Sequence, residues 1–298
     1  MRLFEPYVPD DFEAFWDEAI QEAVAEPLDF HRSFQSDSQH PTHHVERIAF
    51  RGMFGQSVSG WFAFPPGVRR CPSFLWLAPY GRESVLPNGF GTRQGMASLS
   101  FNFHGHDAFH QEEYKVSRGY FAEGAEEPRT WVFRRMIQNA YLAAKVLQAQ
   151  PEVDEDRIAA AGMSQGGGMS IWLGALCPIV KVVCADMPFL SAIRHTLSKP
   201  VHRYPLKELL DFAEGIPLGK ERILHTLSYY DTVNMATFCR VPTQVSMGLK
   251  DPSVRPECVQ ATFDALPGPK NLIRYEVGHD WHPAMVPNNR EWMLQNLA

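Results

Sequence analysis

Long apolar runs are missing from this chain. No uninterrupted hydrophobic stretch approaches the ~18–20 residues of a membrane-spanning helix, so no membrane partner is expected. Basic clusters are missing too: 28 Lys and Arg are dispersed among 34 Asp and Glu, for a net charge of −6, which argues against a nucleic-acid partner. Cysteine is sparse. The five residues, Cys71, Cys177, Cys184, Cys239 and Cys258, are odd in number and lack paired spacing, which argues against a disulfide-stapled scaffold and points to a reducing, cytoplasmic setting. Cys177 and Cys184 lie in apolar surroundings and read as small buried hydrophobes. There is no repeat at solenoid spacing, and no Gly/Ser-rich or charge-rich linker divides the chain, so one domain over residues 1–298 is expected. Asp10, Asp11 and Glu13 precede any apolar run, which does not fit a signal peptide.

What is present is ordinary globular composition, 45% hydrophobic and 21% charged, with a pattern that changes along the chain. Phe12, Phe15, Trp16, Ile20 and Val24 recur at helical spacing. Val45–Phe50 and Val58–Phe64 alternate around Gly52 and Gly55, as in an antiparallel hairpin. From Ser73 to Ala78 the run is almost continuously apolar, as in a strand covered on both faces, and Met96–Phe103 is a second candidate strand. Trp131–Gln150 is amphipathic with a helical period. Arg157–Ala161 reads as a strand, Gly167–Leu176 as a helix and Val180–Ala185 as a strand. Pro242–Met247 and Leu272–Val277 read as the last two strands, with a helix over Glu291–Leu297. The charged, mixed pattern of residues 191–227 reads as an inserted cap. Strands alternating with helices imply a mostly parallel sheet covered on both sides, here with an antiparallel N-terminal edge.

Chemistry concentrates where the Arg157–Ala161 strand meets the next helix. Gly162-Met163-Ser164-Gln165-Gly166 matches the G-x-S-x-G nucleophile elbow in the strand–turn–helix context that the motif requires. Such a turn presents the Ser164 hydroxyl at a helix N-terminus, with the Gln165 amide able to stabilise an oxyanion. A Gly-rich turn whose Ser simply caps the helix is the competing explanation. A serine nucleophile needs a base and an orienting acid, and in α/β-hydrolases the chain order is Ser, then Asp or Glu, then His. Asp251 follows the Pro242–Met247 strand and His279 follows the Leu272–Val277 strand, in that order. Asp251 also suits an Asp-Pro turn, and His282 competes with His279 from three residues further on. The loop after Ala78 should carry the second oxyanion donor, for which the Tyr80 amide is the candidate; the alternative is that Tyr80 is an aromatic on the rim.

His104-Gly105-His106-Asp107, with His110 close by, could hold a metal, because i and i+2 on a strand share a face. No further cluster completes such a site, so no metal is expected and these residues read as lining or loop. His40, His43 and His44 read as solvated, and His195, His202 and His225 as structural. Phe189 and Trp281 are bulky residues that could contact substrate.

Taken together, Asp10–Trp16, Pro151–Ile158 running into Gly162–Gly167, Ala185–Leu190, Leu227–Asn234, Gly248–Asp251 and Gly278-His279 resemble the acetyl xylan esterase and cephalosporin C deacetylase family, carbohydrate esterase family seven. The resemblance spans nearly the whole chain. It implies an α/β-hydrolase fold and a cofactor-free serine esterase that deacetylates small acetylated sugars. It also implies Ser164, Asp251 and His279 as the triad, Tyr80 and Gln165 as oxyanion donors, and a homo-oligomer, often a ring of six with inward-facing sites. Three positions depart from the family: its His-Gly-Tyr is here Ala78-Pro79-Tyr80, its Arg-Gly-Gln is His104-Gly105-His106, and its His-Glu is His279-Asp280. Other acyl specificities, as in a carboxylesterase or amidase, are the enzymatic alternative. A non-catalytic binding or assembly protein on the same fold is the alternative of a different class.

Overall fold

In the computed structural model, which describes residues 7–34, 40–80, 87–103, 120–201 and 205–298, helix α1 (Phe12–Ala25) leads into strands β1 (Phe30–Phe34), β2 (His44–Arg51) and β3 (Ser57–Phe64). β2 and β3 form the expected hairpin, from His44 opposite Phe64 to Arg51 opposite Ser57. β1, whose sequence FHRSF has no clean alternation, adds antiparallel to β2. Strands β4 (Cys71–Leu77), β5 (Ala97–Phe101), β6 (Val153–Met163), β7 (Val182–Asp186), β8 (Thr243–Gly248) and β9 (Lys270–Tyr275) follow. The sheet order is β1-β2-β3-β5-β4-β6-β7-β8-β9. Pairing is antiparallel through β3 and β5 and parallel from β5 to β9. β6 starts earlier than its apolar part suggests, because Val153 already pairs with Cys71.

Alternation of side chains across the pleat divides the core into two layers. Leu75, Leu77, Ala160, Val183 and Ala185 join the main core with α2 (Val132–Gln148) and α3 (Gln165–Leu176). Their neighbours Phe74, Trp76, Ala159, Ala161, Val182 and Cys184 pack instead with Met293 of α9 (Met285–Asn296) and with Leu297. β4 is buried over its whole length, which explains its unbroken apolar run. The rings of Trp16, Trp131, Phe133, Trp172 and Tyr230 lock α1, α2 and α3 together, with centroids 4.4 to 6.4 Å apart. Burying each such side chain stabilises the fold by roughly 1.5–3 kcal/mol.

The stretch expected as a cap carries α4 (Ile193–Leu197), α5 (Leu206–Glu214) and α6 (Gly219–Ser228). Two further helices, α7 (Thr232–Ala236) and α8 (Pro256–Ala265), were not anticipated by the periodicity. Asp231 fastens α7 to α4. Its Oδ1 accepts from Val233 N (2.9 Å) and Ala192 N (3.0 Å), and its Oδ2 from Ile193 N (2.9 Å). Burial pushes its carboxyl pKa up to about 7, against those three N–H groups, which favour the anion.

All five cysteines are free and buried. No helix among the described residues is long and apolar enough to cross a membrane. One expectation is corrected: His43 is buried, not solvated. Its Nε2 lies 3.2 Å from Arg93 O and 3.1 Å from Met96 O, so it pins the turn that enters β5.

Candidate active site

The elbow forms because β6 must turn into α3 within one residue. Ser164 takes that turn with φ 57° and ψ −116°, a positive-φ conformation outside the regions an L-residue favours, at a cost on the order of 1–3 kcal/mol. Surrounding bonds enforce it: Ser164 N donates to Asp186 O (2.8 Å), and Ser164 O accepts from Gly168 N (3.0 Å) and Phe189 N (2.9 Å). Gly166 is required by close approach, since a Cβ there would lie 1.9 Å from Leu77 O at the end of β4. The elbow is thereby packed against the loop that carries Tyr80. Beneath it, the Asp186 side chain accepts from Ser246 Oγ (2.5 Å) and Asn289 Nδ2 (2.7 Å). Burial pushes the Asp186 pKa up, and those two hydrogen bonds oppose the shift.

Although Ser164 occupies the N-cap position of α3, its hydroxyl makes no capping bond. It lies 2.9 Å from His279 Nε2, so the simple-cap explanation fails. His279 Nδ1 lies 2.6 Å from Asp251 Oδ2. A carboxylate can only accept, so the proton sits on Nδ1 and Nε2 is left to accept from Ser164 Oγ. Asp251 is 3% exposed. Its Oδ1 accepts from Ser253 N (2.7 Å) and Val254 N (2.9 Å), so it shapes the Asp-Pro turn and orients the histidine at once.

Acid and base meet because the β8–β9 pairing continues past the strand ends: Leu249 N donates to Tyr275 O and Lys250 N to Val277 O, both at 2.9 Å. Gly248 allows the two loops to touch, as a Cβ there would lie 2.4 Å from Gly278 O. His282 points elsewhere. It stacks on Tyr275 (4.4 Å, 21°) and its Nδ1 accepts from Ala284 N. The order Ser164, Asp251, His279 read from the sequence is thus one hydrogen-bonded chain in space.

The acetyl xylan esterase (AXE1) family model matches residues 4–296. The chain belongs to that family. Among characterised relatives, acetyl esterase Axe7A of Xylanibacter ruminicola is 22% identical over 293 residues, covering 94% of this chain. The match takes in 66% of that relative, so the chain spans just under two thirds of its length. Two solved structures share the fold. Acetyl xylan esterase from Paenibacillus sp. R4 superposes with a TM-score of 0.88 at 23% identity, over 99% of this chain and 97% of the other. Acetyl xylan esterase 1 from Thermoanaerobacterium sp. JW/SL YS485 gives 0.84 at 21%, over 99% and 96%. The fold of this family member is therefore the α/β-hydrolase fold, with antiparallel strands at its N-terminal side.

Other residues singled out from sequence have different surroundings. Gln165 begins α3, so its amide belongs to the first turn, whose N–H groups lack helical partners. Tyr80 is buried rather than on a rim, its ring against Tyr120 (5.1 Å) and Phe121 (5.8 Å). Phe189 reaches the nucleophile through its backbone, while its ring packs on Phe121. Trp281 stacks on Phe90 (4.2 Å) and lies against Trp76 (5.8 Å). His104, Gly105, His106, Asp107 and His110 lie outside the described residues. Among the described residues, no group of three or more His, Cys, Asp and Glu is arranged to hold a metal ion.

Sequence reasoning missed Tyr120 and Glu208. The Tyr120 hydroxyl donates to Gln165 Oε1 (3.1 Å) and accepts from Gln165 Nε2 (3.0 Å). Glu208, on α5, accepts from the Tyr80 hydroxyl at Oε2 (3.2 Å) and from Ala122 N at Oε1 (3.1 Å). Neither residue belongs to a motif. Asp186 stood inside the Ala185–Leu190 segment that matched the family, but nothing in the segment marked its carbonyl as the anchor of the nucleophile.

Proposed function

We propose that this chain is a serine esterase that removes acetyl groups from small acetylated sugars, such as xylo-oligosaccharides, through an acyl-serine intermediate. The single observation that carries the reading is the Ser164–His279–Asp251 chain, at 2.9 Å and 2.6 Å. Ser164 Oγ attacks the ester carbonyl as its proton passes to His279 Nε2. Asp251 fixes the imidazole tautomer and stabilises the cation that forms. The amides of Gln165 and Tyr80 are the donors for the tetrahedral oxyanion. When the C–O bond breaks, His279 gives that proton to the departing sugar oxygen, which leaves as a hydroxyl. Water then attacks the acyl-serine with His279 again as base, releasing acetate and restoring Ser164.

Membership of the acetyl xylan esterase family supports an acetyl ester as the substrate class. We read residues 1–298 as one catalytic unit with α4–α6 as its cap, and the resemblance supports assembly into a homo-oligomer. Phe189 and Trp281 are the candidates for limiting the acyl pocket. The test is a series of p-nitrophenyl esters of increasing acyl length, alongside acetylated xylobiose. Acetyl is expected to be cleaved faster than butyryl, with octanoyl excluded and acetylated xylobiose hydrolysed. Faster turnover of octanoate than of acetate would reject deacetylation.

A further inference from the structure

The two residues that offer oxyanion amides are gripped by their side chains, and one of the grips comes from the cap. Glu208 on α5 is 1% exposed; a carboxylate so buried is stable only against hydrogen-bond donors. Two of its donors are the Tyr80 hydroxyl and Ala122 N, which lies two residues beyond Tyr120. Tyr120 in turn holds the Gln165 side chain, and its ring packs on Tyr80 at 5.1 Å. Glu208, Tyr80, Tyr120 and Gln165 thus form one connected arch over the elbow, joining the cap to both amides.

We propose that Glu208 is a positioning residue for the oxyanion hole: through Tyr80 and the Tyr120 segment, the cap sets the spacing of the Tyr80 and Gln165 amides. This inference rests on the serine-esterase reading. Oxyanion donors act through their placement around the transition state, and a shift on the order of 1 Å can cost about 100-fold in rate. Loosening the arch should therefore lower kcat and leave KM nearly unchanged, because the ground-state ester gains little from the hole.

The experiment compares the full-length parent with Tyr80→Phe, Glu208→Leu and Glu208→Gln. Kinetics on p-nitrophenyl acetate are combined with inhibition by a small alkyl boronic acid, which forms a tetrahedral adduct on a serine nucleophile. Tyr80→Phe and Glu208→Leu are expected to lose about 10- to 100-fold in kcat, with KM within about threefold and boronate affinity weakened by a similar factor. Glu208→Gln should recover to within about fivefold of the parent, since its carbonyl can accept from Ala122 N and its NH2 can donate to Tyr80 Oη. A kcat within about threefold of the parent in folded Tyr80→Phe and Glu208→Leu, on the same transition-state criterion, overturns the inference. So does a Glu208→Gln variant as impaired as Glu208→Leu. If Glu208→Leu does not fold, Tyr80→Phe, which deletes only a hydroxyl, decides by the same thresholds. A parent that hydrolyses no acyl ester defeats the esterase reading itself, whereas an active parent with unaffected variants defeats only the role of Glu208.

Discussion

Replacing Asp251 with Asn exchanges one carboxylate oxygen for an NH2 group, and the geometry decides which one. Oδ1 accepts from both Ser253 N and Val254 N, whereas Oδ2 faces only His279 Nδ1. Placing the NH2 toward the two backbone donors would sacrifice two hydrogen bonds, one part-buried and one buried, at about 1 kcal/mol each plus the desolvation of the groups left unpaired. The amide oxygen therefore keeps the turn and the NH2 faces the imidazole. That NH2 can only donate, so Nδ1 must be the acceptor and the ring proton moves to Nε2. His279 then donates to Ser164 Oγ and cannot take its proton. A wrong tautomer in this arrangement costs about 10⁴-fold in kcat, equivalent to about 5–6 kcal/mol of transition-state stabilisation. The assay is steady-state hydrolysis of p-nitrophenyl acetate with a thermal melt of the same preparation. The melt should stay close to the parent because the turn bonds survive. Asp251→Asn with kcat within tenfold of the parent would refute the tautomer reasoning.

The two histidines should separate cleanly. His279→Ala is expected to lose on the order of 10⁴–10⁶ in kcat, whereas His282→Ala, which gives up only its stack on Tyr275 and the bond from Ala284 N, should stay within a few-fold on the same assay; reversed phenotypes would move the base. Asp231→Asn keeps two of the three N–H bonds but sets an NH2 against Ile193 N, so a loss of about 1–3 kcal/mol is expected in denaturant unfolding. In the parent, the Asp231 carboxyl pKa of about 7 lies above its unfolded value, so its contribution to stability is full below about pH 4 and is lost as pH rises toward 7. Asn lacks that dependence, and unfolding curves across this range check it. Dialysis against a chelator should leave esterase activity intact, because the serine supplies the nucleophile without metal-activated water; loss restored by one particular metal would implicate the His104–Asp107 segment.

Elements with a strong period were legible in the sequence. The β2–β3 hairpin, β4, α2 and the elbow all follow from alternation, unbroken burial or a motif. β1 was not, because it joins the sheet through backbone pairing with β2 while FHRSF shows no face. α7 was hidden because five residues are too few to display a helical period, even though Asp231 caps its start locally by accepting from Val233 N. In the site, order along the chain brought Ser164, Asp251 and His279 into view because each follows a strand of one parallel sheet. His43 was misjudged, since its neighbours His40 and His44 suggested a polar surface while the carbonyls that bury it lie some 50 residues away. Glu208 and Tyr120 were invisible for the same cause: their partners are remote in sequence, and no local pattern encodes a hydrogen bond across 128 residues.

The most direct measurement is covalent trapping at the nucleophile. The parent protein and Ser164→Ala would each be incubated with a small fluorophosphonate and mapped by peptide mass spectrometry. A single phosphonyl adduct on Ser164 in the parent, and none in the variant, is the expected result. Equal labelling of both proteins, or an unmodified Ser164 in a folded parent, would contradict the assignment of Ser164 as the activated nucleophile.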